Sequence, residues 1–268
     1  MNTIGFAYLH IENNRRDDIL DNMSTADFHS VLYDLFSLRS PFRFKDHISE
    51  EVFNEIGLFL WVEGLISKFD SKERLLIEDL EEWPDTLFDA RAIAPNLPKE
   101  YQKYEARAAF WIFFIEKAGI VRNMDGHWVL TKLTIKNRNK RKAILQMLIE
   151  GIGFRMNWSV FDGKAAKETG QLAFGISLIM LHKYGTEWRD AMFYTNKYFH
   201  FFELARVESH IENNQSEVDF IQVYIYRSFY CFGKIFNFVE IEDSLSKEGV
   251  STKIRTTSVF QALFDFRL

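Results

Sequence analysis

Cysteine occurs once, at Cys231, and proline four times, at Pro41, Pro84, Pro95 and Pro98, in a chain of 268 residues. The lone thiol excludes an internal disulfide and a thiolate zinc site. Without proline after Pro98, long helices are permitted through the rest of the chain. Long hydrophobic runs are missing as well. The most apolar, Ala108 to Ile115, gives way to Glu116 and Lys117, far short of the roughly 20 residues that cross a bilayer. The first residues carry no basic segment followed by an apolar one, so no secretory signal is expected. These absences predict a soluble, cytoplasmic protein without a membrane partner.

The devices of common enzymes are lacking too. No Gly-x-Ser-x-Gly elbow occurs, and GIGF at 151–154 lacks the Lys-Ser/Thr of a phosphate-binding loop. Seven histidines are scattered; His200 and Glu203 lie one helical turn apart, but no third ligand accompanies them. Cys231 sits in an apolar helical stretch, where a small buried side chain is the usual role. Glu78, Asp79, Glu81 and Glu82 form an acidic cluster whose default is a solvated helix end. Neither a metal nor a cofactor is expected, and no catalytic constellation is visible. An enzyme assembled from distant residues remains the third function class.

What the chain has is apolar mass. Hydrophobic residues make up 47% and aromatic residues 16%, with 27 Phe, enough to build a sizeable core and to exclude a disordered chain. The net charge of −5 hides an asymmetry. Residues 1–98 hold 9 Lys+Arg against 19 Asp+Glu, residues 99–145 hold 11 against 4, and residues 146–268 hold 13 against 15. A basic segment therefore lies between acidic ones.

Periodicity and breaker residues outline the elements. Residues 4–11 suggest a short strand. Ser24 and Asp27 suggest a capped helix start, with Ser40-Pro41 as its end. Ser49 caps a second helix with its apolar face from Val52 to Ile66, and Ser71 to Glu82 suggests a third that stops at Trp83-Pro84. Residues 84–98, with three of the four prolines, make the best linker. A helix from Pro98 to about Lys117 follows, apolar all round between Ala108 and Ile115, ending at Gly119. Ile120–Arg122 and Trp128–Thr131 read as strands around an Asp125-Gly126 turn of type I′. Gly151 and Gly153 suggest a break, and Asn157–Gly163 a loop. Residues 164–207 suggest further helix divided at Gly185, with Thr186 a candidate cap. Phe220–Phe236 forms another apolar helix before strands at Val239–Ile241 and Thr252–Thr256, joined by a longer loop.

The helix, strand, turn and strand of 101–133 recur at 218–260. This pattern resembles the second half of a winged-helix domain, and FFIEKAGIVRNMDGHWVLTKL resembles it most. In the second copy Asn237 stands where the first has Gly119, and no tight turn is expected in its wing. The resemblance implies a mainly α fold with small β-hairpins, built as two winged-helix-like halves joined by a helical connector. The expected divisions are an acidic helical region at 1–98, a winged-helix-like segment at 99–145, a helical connector at 146–215 and a second winged-helix-like segment at 216–268. A separate five-residue repeat, HIENN, occurs at His10–Asn14 and His210–Asn214, and reads as two polar surface turns.

The basic run supplies the candidate site. Lys132, Lys136, Arg138, Lys140, Arg141 and Lys142 contain no acid among them, and with Lys103 and Arg107 they could neutralise phosphates beside the wing. The alternative is a solvated loop, or a patch paired with the acidic N-terminal third. The helix before the wing offers almost no polar face for reading bases. The leading expectation is thus a non-enzymatic interaction protein within a larger complex, with a protein partner, a second contact to nucleic acid through 132–142, and room for a homo-oligomer. A winged-helix DNA-binding regulator is the alternative.

Overall fold

A capping box opens the described chain. In the computed structural model, which describes residues 23–69, 72–76, 90–164, 169–172, 174–201, 217–246 and 249–267, Ser24 accepts from the Asp27 backbone at 3.2 Å and Asp27 accepts from the Ser24 backbone at 2.9 Å. Two orphan N–H groups at the helix start are satisfied reciprocally. The expected strand at 4–11, both HIENN repeats, the acidic cluster at 78–82, the Trp83-Pro84 stop and Glu203 lie outside the described residues.

Helix α1 (Thr25–Tyr33) stops at Asp34, well before Ser40-Pro41. Pro41 instead leads into strand β1 (Phe42–Phe44). The single helix expected after Ser49 is two: α2 (Glu50–Asn54) and α3 (Gly57–Lys68), with Ile56 extended between them. Residues 72–76 are not helical, and Leu75 bridges Trp128 instead. Within the expected linker, α4 (Ala90–Ile93) and a 3₁₀ turn (Ala94–Asn96) form, and Leu97 is buried. Helix α5 (Ala106–Lys117) starts later than Pro98. Its first turn is capped by Glu105, whose carboxylate accepts from the backbones of Arg107 and Ala108.

The sequence-predicted hairpin follows: β2 (Val121–Met124) and β3 (His127–Leu130), antiparallel. Asp125 and Gly126 have φ of 55° and 83°, the left-handed pair that a type I′ turn demands. The basic run then forms helix rather than loop, as α6 (Lys132–Asn137) and α7 (Arg141–Glu150). At Gly151 and Gly153 the helix does not break but widens into a π-helical turn (Gly151–Arg155). Gly151 is there for close approach: a Cβ on it would lie 2.2 Å from the Ala118 Cα. Asn157–Gly163 contains a 3₁₀ turn (Trp158–Phe161) with Trp158 fully buried.

Helix α8 (Phe174–Tyr184) precedes strand β4 (Arg189–Asp190) and helix α9 (Ala191–Phe201). Asp190, not Thr186, caps α9, accepting from the Met192 backbone at 2.8 Å. Helix α10 (Glu217–Ile225) runs on as a π-helical stretch (Tyr226–Gly233). Strands β5 (Val239–Ser246) and β6 (Gly249–Thr256) pair as far as Ser246 and Gly249. Only two residues separate them, so the long loop expected here is absent and most of it is strand. Helix α11 (Ser258–Leu263) and strand β7 (Phe264–Phe266) complete the chain, and β7 pairs with β1.

The fold is mainly helical with antiparallel sheets of two and three strands. A continuous cluster of buried apolar side chains runs from Phe28 to Phe264. In both hairpins the second strand receives an additional partner at the third paired rung. Trp128, opposite Asn123, bonds Leu75; Ile254, opposite Ile241, faces Arg189 of β4.

Candidate interaction surfaces

Charge repulsion and long side chains predispose a run of lysines to point into water, and most of the basic run does so. Lys132, Lys136, Arg138 and Lys140 are exposed on α6 and the turn after it, as are Lys103 and Arg107 at the start of the preceding segment. Lys103 leans over the Tyr104 ring at 4.8 Å. Lys142 is exposed but directed inward along the surface, donating to the Lys45 carbonyl at 3.1 Å.

Arg141 departs from the expected phosphate-neutralising set. Its Nε donates to Glu63 Oε1 at 2.8 Å and its Nη2 to Glu63 Oε2 at 2.5 Å. It also pairs with Glu50 and donates to Asn54 Oδ1 at 3.0 Å. Its guanidinium lies over the rings of Phe53 and Phe59. These bonds hold the guanidinium proton even more firmly than usual, the Glu63 hydrogen bonds leading. The paired fork and stacked plane suit arginine and not lysine. Arg141 thus ties α7 to α2 and α3, and the basic run contributes one cation fewer to the outside.

The helices before both hairpins are sealed. Every residue of α5 from Ala108 to Ile115 is buried, as are Arg227–Phe229 and Cys231–Gly233 before the second hairpin. What remains open beside the first hairpin is mixed: Leu133 is 49% and Ile135 53% exposed, between the exposed lysines of α6. At the second hairpin Leu245 is 87% exposed.

The buried stretch before the second hairpin holds the most consequential pair that sequence reasoning missed. Arg227 is fully buried and forks onto Asp162, Nε to Oδ2 at 2.9 Å and Nη2 to Oδ1 at 2.7 Å. Its Nη2 also donates to the Lys164 carbonyl at 3.2 Å. The signal was present: one arginine inside the apolar run Phe220–Phe236. A charge buried there needs a partner, but the partner sits far away in sequence.

Cys231 is buried, and burial pushes its thiol well above the ordinary range. A thiol so held is a poor nucleophile. His127, in the hairpin turn, has its Nδ1 3.2 Å from the Asp125 carbonyl. Among the described residues, no group of three or more His, Cys, Asp or Glu is placed to hold a metal ion, and no helix is long and apolar enough to cross a membrane. An open groove of about 540 Å³ lies along the start of β5, lined by Val239–Glu242 together with Trp188, Lys234 and Asn237. No family model, curated protein or solved structure matches this chain.

Proposed function

We propose that the chain is a non-enzymatic interaction protein, built from two winged-helix-like halves, that works inside a larger protein complex. The architectural part is supported by a repeated order. Helix α3, the Leu75 bridge, α4, α5 and the β2–β3 hairpin come in that sequence. Then α8, β4, α9, α10 and the β5–β6 hairpin repeat it. In each, an early extended residue or strand, Leu75 or β4, pairs with the hairpin's second strand. By this reading the second half begins near Phe174, not at 216, because β4 belongs to its sheet.

One observation carries the interaction reading. The helix that a winged-helix DNA reader lays in the major groove needs an exposed polar face, and α5 has none from Ala108 to Ile115. The surface left beside the hairpin, with Leu133 and Ile135 exposed, is suited to desolvation by a protein. The test is recovery with the tagged full chain as bait. A partner in stoichiometric amount, surviving a wash at about 300 mM salt and lost in Leu133→Asp/Ile135→Asp, is expected. Recovery of no such partner, or equal recovery with the double variant, would defeat the reading.

A second reading, contact with nucleic acid through α6 and its C-terminal turn, is favoured by the exposure of Lys132, Lys136, Arg138 and Lys140. It requires duplex binding at about 50 mM salt with a slope that flattens when these four become Ala. Arg141→Ala should leave that slope unchanged, since its charge is spent within the fold.

A further inference from the structure

We propose that the outer edge of β5 receives an extended segment of a partner protein, added as a further strand and carrying Lys or Arg at alternate positions. The proposal rests on the interaction reading and names the chemistry of one partner. Strand β5 ends the sheet order β4-β6-β5. Among the described residues, no backbone group pairs with its outer edge. An unpaired edge is a template for another strand.

The side chains across this sheet say what that strand should carry. Asp190, Lys253 and Glu242 stand directly opposite one another on β4, β6 and β5. Two rungs away, on the same face, Arg255 lies 4.7 Å over the Trp188 ring and donates to Glu240 at 2.5 Å. Both rows alternate in character, and both end at β5 with an exposed glutamate. A strand laid on that edge would place alternate residues opposite Glu240 and Glu242, where opposite charges stabilise. The residue between them would face the opposite side, that of Ile241, which packs against the core.

The same acids argue against other occupants. A second copy joined edge to edge would set the acids of VEIEDS against each other, and like charges opposed across strands destabilise. Nucleic acid would meet carboxylates rather than cations.

The test uses the full chain, isotope-labelled, with a blocked octapeptide of alternating Lys and Val and a Glu–Val octapeptide as control. Saturable amide shifts centred on Val239–Ser244 are expected with the Lys–Val peptide. Affinity should fall about tenfold from about 50 to about 300 mM salt, and at least tenfold in Glu240→Gln/Glu242→Gln. Equal binding of the Glu–Val peptide, shifts centred elsewhere, or β5 shifts produced by concentrating the protein alone would each overturn the proposal. Peptide failure with the α6-dependent partner still recovered defeats the edge alone; failure of both defeats the interaction reading as well.

Discussion

Thr131 and Thr257 hold the same corner in two places. The Thr131 hydroxyl donates to the Gly119 carbonyl at 2.6 Å, and the Thr257 hydroxyl to the Asn237 carbonyl at 2.6 Å. Their backbones donate to Ile120 and Phe238 at 3.0 and 3.1 Å. Each hydroxyl then caps a helix, accepting from Thr134 or Phe260 at 3.2 Å. Ahead of each corner the chain leaves its helix alike: Ile120 donates to the Ile115 carbonyl at 2.9 Å and Phe238 to that of Gly233 at 2.7 Å.

Removing either hydroxyl should therefore cost the same. Thr131→Val and Thr257→Val each lose a helix cap and one hydroxyl bond to a carbonyl, the Gly119 carbonyl keeping the Thr134 hydroxyl at 3.2 Å, so each should destabilise by about 1–2 kcal/mol. Urea unfolding of the two single variants measures it. A cost confined to one of them would break the equivalence.

The left-handed residue at each helix exit is exchangeable. Gly119 has φ of 76° and Asn237 φ of 55°, and asparagine is among the few residues that tolerate this region. Gly119→Asn should stay within about 1 kcal/mol of the native chain, because a Cβ there meets nothing closer than Arg155 Nη1 at 4.0 Å. Gly119→Val, β-branched in the same conformation, should cost more, at least about 2 kcal/mol. Thermal or urea unfolding distinguishes them; equal costs would contradict the backbone argument.

These corners show what sequence could reveal. Gly119 and the Asp125-Gly126 turn were legible because left-handed backbone leaves a compositional mark. The buried course of α5 was legible because Ala108–Ile115 has no polar side. The second hairpin was misjudged because VEIEDSLS is too polar to read as strand. It forms one because β6 and cross-strand pairs such as Glu240 with Arg255 hold it. The fate of Arg141 was legible only as the alternative of a patch paired with the acidic N-terminal third, not as to which cation would pair. Its run of cations looked uniform, and only tertiary folding brings Glu50 and Glu63 to one member of it. Leu75 likewise gave no local sign of bridging Trp128.

The buried pair of Asp162 and Arg227 sets up a double-mutant test. Asp162→Asn leaves a fully buried guanidinium short of its counter-charge and should cost about 3–5 kcal/mol. Arg227→Met should cost a similar amount by stranding the carboxylate. The double variant should cost clearly less than the two singles together. Additive losses would mean the pair is not coupled.

Tyr194 makes stability fall in alkali. Its hydroxyl is buried without a hydrogen-bond partner among the described residues, and burial raises its pKa from 10.0 to about 12. The native state thus keeps the proton where the unfolded chain has begun to release it. Unfolding releases protons in this window, so stability drops as pH rises from about 10 to 12. Tyr194→Phe should show a shallower drop, and near pH 7 should be neutral or stabilised by up to about 1 kcal/mol. Urea titrations at several pH values measure both; an unchanged slope would contradict the assignment.

The two hairpins differ in reach, four-residue strands in one and eight-residue strands in the other, while the threonine corners beneath them are alike. The difference in length therefore lies toward the far tip, above corners of the same geometry. For a protein engineer this marks the β2–β3 turn at Asp125-Gly126 as a graft point. Extra rungs or a short recognition sequence can be spliced there without rewriting the interior.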